Sequence, residues 1–445
     1  MSHHPSLLAV DLGASFIKGA WIEPESGRMG PAIRRPFPAF VADRPPGWRE
    51  VPVGRILDAV GAVLAELVEQ APEATGVLWC GQMHGFVLCD AQGRALGDFV
   101  SWQDQRSLQP GSEGGPTSYE ELAGLVSAAD LAELGREFSP RHPVATLHWL
   151  ARRDRLPPGA FAAPLADFVI AHLCGQSPVT HPTNASAHGL YSLGAGGWHG
   201  PLIARIPLDR LRWPRIEAEL RPIGSMVVNG RTLVCFPAVG DQQAALAGAR
   251  LAEGELSLNV ATGSQVSCLV DASTAGDYQV RPYFGGRYLR TITHLPAGRA
   301  LNALLSLLDE LPAGQDTPLR APWDQIAAAV AAVPRTDLVA NLAFFHSACG
   351  SEGSLEHLCE DNLTVGHLFR AAFNNMAENY AQAAARLGPM AGWSRVVFSG
   401  GLVQKLPPLR EAILERLGLP HRMAPEAEDT LAGLRNLAGM AGVAG

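Results

Sequence analysis

The stretch LAVDLGASFIKG, Leu8–Gly19, gathers residue types suited to handling a phosphate. An apolar run ends in Asp11, a turn of small residues follows (Gly13, Ala14, Ser15), and a second run carries Lys18. Such a turn offers backbone N–H groups and a hydroxyl where no large side chain keeps an anion away. Asp11 faces the same space and suits a metal ion held through water. A weaker echo, LNVATGSQVS at Leu258–Ser267, repeats the order of strand, Thr/Gly/Ser turn and strand. Two such hairpins in opposite halves suggest a duplicated phosphate clamp with nucleotide between two lobes. Each by itself also fits an ordinary hairpin.

Four further segments carry chemistry. Gly240-Asp241 precedes an Ala-rich helical run, so Asp241 suits either a general base that takes a proton from a substrate hydroxyl or a plain helix N-cap. Gly81-Gln82-Met83-His84-Gly85 follows an apolar strand, where polar groups commonly line a ligand crevice. There His84 suits a sugar hydroxyl and Met83 an apolar face; a structural Met-His pair is the alternative. Trp102-Gln103-Asp104-Gln105-Arg106 combines an aromatic ring, a carboxylate, two amides and a guanidinium, a mixture suited to polyols. The other reading is a solvated loop with an Asp–Arg pair. Phe398-Ser399-Gly400-Gly401 ends a strand with two glycines, letting backbone approach a flat ligand such as adenine, with Gln404 close behind. A simple strand–loop–helix connection would look the same.

Positioning these residues requires alternating strands and helices. Ile56, Leu57, Val60, Val63, Leu64, Leu67 and Val68 recur at helical spacing, and Val77–Trp79 then reads as a buried strand. Helices are predicted at Tyr119–Arg136, Val144–Arg153, Leu165–Cys174, Gln242–Arg250, Ala297–Leu311, Ala327–Val333, Val365–Leu387, Leu409–Leu417 and Glu428–Ala444. Strands are predicted at Leu233–Phe236 and Val396–Phe398. The pattern is α/β with two lobes and a cleft between them. The proline-punctuated stretch Ile206–Gly230 marks the change of domain, giving 1–228 and 229–445.

Composition narrows the function. The 445 residues are 47% hydrophobic, enough for two cores, and a net charge of −8 without a basic cluster argues against nucleic acid as partner. No apolar run approaches a membrane span, and the first residues lack the charged start of a secretory signal. Seven scattered cysteines, with no CxxC, read as buried thiols of a reducing cytoplasm. The 14 histidines show no metal-cage spacing.

Taken in order, these segments resemble the FGGY carbohydrate kinases, which share the duplicated actin-like (ribonuclease H-like) ATPase fold, two lobes around a central cleft. DLGASFIK looks like the family's first phosphate motif, GQMHG and WQDQR its substrate loops, GDQQAALAG its catalytic-base helix, NVATGSQVS its second phosphate loop and FSGG its adenosine motif. The stretch 167–191 also resembles a family pattern ending in Asn-Ala-Ser. The resemblance implies ATP and Mg²⁺ as cofactors, with Asp241 as base and Asp11 organising the ion. Gly13, Ser15, Lys18, Thr262, Gly263, Ser264, Gly400, Gly401 and Gln404 would hold nucleotide. Gln82, Met83, His84, Trp102, Asp104, Arg106 and Asp241 would hold the sugar. Trp-Gln-Asp-x-Arg, together with SGGLVQKLPPLREAI (399–413), looks more like the sedoheptulokinase branch, which implies phosphorylation of sedoheptulose on its terminal primary hydroxyl. Xylulokinase is the alternative, a catalytically silent sugar-binding relative another, and a sugar-independent actin-like ATPase a third. Small-molecule sugar and ATP are the expected partners, and a homodimer stays open. The chain departs from the family at Ala14, where a hydroxyl is usual, at His181, in EDTLAG (428–433), and at Gln404-Lys405, where an Asn is usual.

Overall fold

The computed structural model describes residues 6–111, 114–310, 322–426 and 428–440. Two mixed sheets follow one plan. In the first, the Ser6–Leu12 strand pairs antiparallel with Phe16–Glu23 and parallel with Ala74–Gly81, which in turn pairs parallel with Arg231–Cys235. In the second, Glu255–Val260 pairs antiparallel with Ser264–Val270 and parallel with Arg395–Ser399, beside which His421–Met423 lies parallel. The duplication legible in the two hairpins thus extends through four strands of each sheet.

The predicted division at 228/229 falls within the turn of a hairpin, Gly224–Val228 with Arg231–Cys235. The first sheet therefore runs on to Val239–Gly240, which pairs parallel with the end of Ala74–Gly81. That pairing sets Gly240 opposite Gly81, so the base candidate and the GQMHG loop leave the sheet side by side.

Helices cover the sheets by their apolar stripes. Val53–Gln70 buries Ile56, Val60, Val63, Leu64 and Leu67 on the first sheet, as its periodicity predicts. Val365–Leu387 does the same for the second sheet with Phe369, Phe373, Met376 and Tyr380. The expected single helix Tyr119–Arg136 is two, Ser118–Ala123 and Ala128–Glu133. Each opens with its own capping box, Thr117 with Glu120 and Ser127 with Asp130, and local capping overrides the longer periodicity. The last helix spans Asp429–Ala438; the predicted residues 441–444, and Leu311 of an earlier helix, lie outside the described residues. All seven cysteines are free, but not all are buried as expected: Cys174 and Cys349 are half-buried and Cys359 is exposed. Among the described residues no helix is long and apolar enough to cross a membrane.

The closest helix contact bears on the site. Asp241–Gly248 and Asp429–Ala438 cross where each presents a glycine to the other's backbone. A Cβ on Gly433 would lie 1.8 Å from the Ala244 carbonyl oxygen, and one on Gly248 1.9 Å from that of Asp429. The C-terminal helix is thereby pressed against the helix that carries Asp241. Gly433→Ala is expected to force the two apart and lower the unfolding free energy by about 2–3 kcal/mol in urea titration. An unchanged midpoint would show that the helices separate without penalty.

Candidate active site

Asp11 stands near the end of the first strand and is almost wholly buried. Its Oδ2 accepts from the Thr430 hydroxyl at 2.7 Å and lies 3.0 Å from Lys18 Nζ. Its Oδ1 is buried with no hydrogen-bond partner. A desolvated carboxylate oxygen lacking a donor is costly, and it is the kind of oxygen a hard cation takes as ligand. The donor set therefore fits Mg²⁺. Lys18 is not a free phosphate ligand: Nζ also contacts Glu428 at 3.2 Å and Thr430 at 3.4 Å. The EDTLAG segment, a departure from the family pattern, is thus what completes the Asp11 environment.

Asp241 is the first residue of its helix, not the cap, which is Gly240. Its Oδ1 accepts the Gln242 backbone N–H at 2.8 Å. Burial and then the nearby Asp11 charge push its pKa up to about 7, against the pull of that N–H and of Arg281. Asp429, also raised by burial, adds to the repulsion. A carboxylate balanced near neutrality suits proton acceptance at ordinary pH.

The GQMHG loop closes one side. Gln82 N–H donates to Leu12 O at 3.0 Å, and its side chain reaches Gly13 O at 3.5 Å, tying the loop to the turn of the first hairpin. Met83 is buried against Gly240, its sulfur 3.1 Å from where a Cβ there would sit. His84 takes a left-handed backbone conformation, φ 67°. Its ring meets His142 edge-on at 4.5 Å, and its Nε2 lies 3.4 Å from Glu137 Oε2. Burial and His142 hold its pKa down to about 3, so the ring is neutral. Trp102 is half-buried, with the Arg141 guanidinium 6.0 Å over its ring.

Asp104 and Arg106 require a correction. Both are buried and bonded to each other, Nε to Oδ1 at 2.8 Å and a terminal nitrogen to Oδ2 at 2.7 Å. Asp104 also accepts the Arg49 N–H at 2.7 Å, and Arg106 reaches Glu50 at 2.7 Å while lying 3.9 Å over the Trp48 ring. With those groups spent inside the lobe, the pair braces the substrate loop and offers nothing to a sugar.

At the candidate nucleotide residues, Ala14, Ser15, Thr262 and Gly263 are exposed at the two turn tips, with Gly13 half-buried behind the first. Ser264 is turned inward: its hydroxyl donates to Asn259 O at 2.7 Å, so it is no phosphate donor in this arrangement. Gly400 has φ 89°, and a Cβ there would fall 2.4 Å from Val260 O, so only glycine lets the FSGG strand end approach the second turn. Around Gly401 the space is open, as a flat ligand needs, and Gln404 is exposed one helical turn on. His181 serves locally, its ring capping Pro182–Ala185 and meeting the Ala218 carbonyl.

Sequence reasoning missed Glu137, His142, Gln242 and Arg281, which converge behind the site. Gln242 lies within GDQQAALAG, beside the base, and so had a signal; the other three come from segments without one.

Residues 6–248 match the family model described as FGGY family of carbohydrate kinases, N-terminal domain. A xylulose kinase of Streptomyces coelicolor is 25% identical over 267 residues, covering 56% of this chain and 51% of its own length. The chain spans about half the length of the curated relatives it matches. Among solved structures, a gluconate kinase from Lactobacillus acidophilus superposes with TM-score 0.80 at 17% identity over 98% of this chain and 89% of that one. A xylulose kinase from Rhodospirillum rubrum gives 0.78 at 20% identity over 99% and 90%. These likenesses establish the fold.

The raised Asp241 pKa carries a stability consequence. Ionising it costs the folded state, so its protonated form is fully tolerated below about pH 4, and stability is lost as pH rises through about 7. Asp241→Asn is therefore expected to raise the thermal midpoint by a few degrees at pH 8 and to leave it unchanged at pH 4. Equal midpoints at both pH values would show that the carboxylate is not strained.

Proposed function

The chain belongs to the FGGY family of carbohydrate kinases, and we propose that it transfers the terminal phosphoryl group of ATP to a primary hydroxyl of a ketose. The observation that carries this reading is the pairing of Asp241, poised near neutrality, with the orphaned Oδ1 of Asp11 at the junction of both lobes.

In this mechanism the sugar hydroxyl lies against Asp241. As its oxygen bonds to the γ-phosphorus, Asp241 takes the proton and ADP leaves with the bridging oxygen's electrons. Positioning and charge neutralisation supply most of the acceleration in such transfers. Asp11 would hold Mg²⁺ through Oδ1, and the bound ion would supply positive charge to the phosphates. The turn amides around Gly13–Ser15 and at Thr262–Gly263 would cradle the phosphates from opposite lobes. Met83, neutral His84 and the Trp102 face would form the sugar wall. Closing the cleft would exclude water and so limit wasteful hydrolysis. A protein consuming ATP in this way would work in the cytoplasm.

Sedoheptulose is the acceptor favoured by the Trp-Gln-Asp-x-Arg resemblance. That motif's acid and base are buried, so its power to select a sugar is indirect. D-xylulose is the second reading, favoured by the name of the Streptomyces coelicolor relative. ATP consumption across sedoheptulose, D-xylulose, D-ribulose, L-ribulose and glycerol, with the phosphate position read by NMR, tests both. One ketose is expected to be phosphorylated at its terminal carbon. Asp241→Asn should reduce kcat about 10³-fold with little change in ATP affinity. Hydrolysis indifferent to every sugar would replace this reading with an actin-like ATPase.

A further inference from the structure

One carboxylate, Glu137, draws together three residues from both halves of the chain, His84, His142 and Arg281. It follows the Ala128–Glu133 helix and is 1% exposed. Its Oε1 accepts from Arg281 Nε at 2.7 Å, and its Oε2 accepts from Arg281 Nη2 at 3.2 Å and from His142 at 2.9 Å. His84 Nε2 approaches that same Oε2 at 3.4 Å. Arg281 belongs to the Gln279–Pro282 strand of the second sheet, itself fastened to the first lobe by Val280 N–H donating to Gly135 O at 2.8 Å. The remaining end of the guanidinium donates to Gln242 Oε1. Gln242 Nε2 in turn faces Ser267 and Thr291, each at 3.3 Å, inside the second sheet.

The charge arithmetic is that of a pair, not a metal cage. His84, Glu137 and His142 bring ligand atoms within 4.8 Å of one another, a grouping that would suit a cation. Arg281 already fills the carboxylate's open side with a buried positive charge, and a second cation there would meet it unscreened. Burial alone would raise Glu137, yet Arg281 and the two imidazoles outweigh it and keep the carboxylate well below its ordinary range. The group is therefore a permanent buried anion. A permanent anion beside His84 Nε2 selects the ring tautomer: Nε2 carries the proton and Nδ1 is left as an acceptor.

We propose that Glu137 is a positioning residue of the acceptor site, fixing the tautomer and orientation of His84 from one side and, through Arg281 and Gln242, the first turn of the Asp241 helix from the other. This rests on the kinase reading for what His84 and Asp241 do, and on the hydrogen bonds alone for how they are held. The strained backbone of His84 fits the assignment, since a left-handed non-glycine residue persists where its surroundings over-determine it.

Two variants and two readouts test the proposal. Glu137→Gln keeps the shape but removes the charge, so one amide oxygen must serve Arg281, His142 and His84 together. Glu137→Asp keeps the charge at shorter reach. Long-range ¹H–¹⁵N correlation spectra of the imidazoles, recorded without substrates, should show His84 as a single Nε2–H tautomer in the wild type. In Glu137→Gln a mixture is expected, with partial recovery in Glu137→Asp. Kinetically, Glu137→Gln should raise the D-xylulose or sedoheptulose KM at least tenfold while the ATP KM changes less than twofold. A group that merely held the fold together would move both KM values. An unchanged His84 tautomer in Glu137→Gln would overturn the proposal, and so would an acceptor KM equal to wild type. If the wild type phosphorylates no sugar, the kinase reading falls and the tautomer measurement still decides the role of Glu137.

Discussion

The site depends on holding two carboxylates, buried Asp11 and half-buried Asp241, near enough that the charge of the first acts on the second. Like charges so placed repel, and left unbalanced one of them would be expelled or protonated. The two acids are balanced differently. Asp11 receives a lysine and a hydroxyl on one oxygen and keeps the other bare. Asp241 receives one backbone N–H and the more distant Arg281, and rises to about 7. In the proposed mechanism their environments divide the labour: Asp11 would offer its bare oxygen to a cation, and Asp241 would exchange a proton.

That division explains the tight packing of the C-terminal helix. Thr430 can reach Asp11 because the Asp429–Ala438 helix lies against the Asp241 helix with only glycine hydrogens between the backbones. Glu428 answers the Lys18 charge from the same helix start. A larger residue at Gly433 would therefore do more than open a packing gap, since it would carry the Asp11 hydroxyl donor away with it. The closure of the fold and the electrostatics of the site are one constraint.

The sequence made the architecture legible where signals were local. Each of the two duplicated hairpins is a short apolar run, a small-residue turn and another run, and the long helices Val53–Gln70 and Val365–Leu387 write their buried faces as a regular apolar stripe. Asp11, Asp241, Gly400 and the GQMHG loop lie at strand ends, which is why their placement was readable. The first sheet's extension to Gly240 was not, because proline-rich loops before the Gly224–Val228 hairpin resemble a domain linker while the pairing that overrides them is over 140 residues distant in sequence. Glu137 and Arg281 were illegible for the same reason: they are 144 residues apart, and neither neighbourhood announces a ligand.

WQDQR shows how residue type misleads when partners are unknown. A carboxylate and a guanidinium two residues apart suit a polyol, and they suit each other equally well. What decides is desolvation. Trp48 and Trp149 cover Arg106, whose guanidinium lies 3.9 and 5.6 Å from their ring centres, so its charge must find carboxylates within the lobe, and Asp104 with Glu50 are the ones in reach. Breaking one partner of so buried a pair would leave a charge uncompensated, which makes the motif sensitive to mutation without touching a sugar. Gln103 and Gln105 are exposed, and Trp102 is half-buried beside Arg141. If the proposed acceptor is a ketose, its selection is therefore better sought in Met83, half-buried His84 and Trp102, and the buried Glu137 network behind the His84 ring.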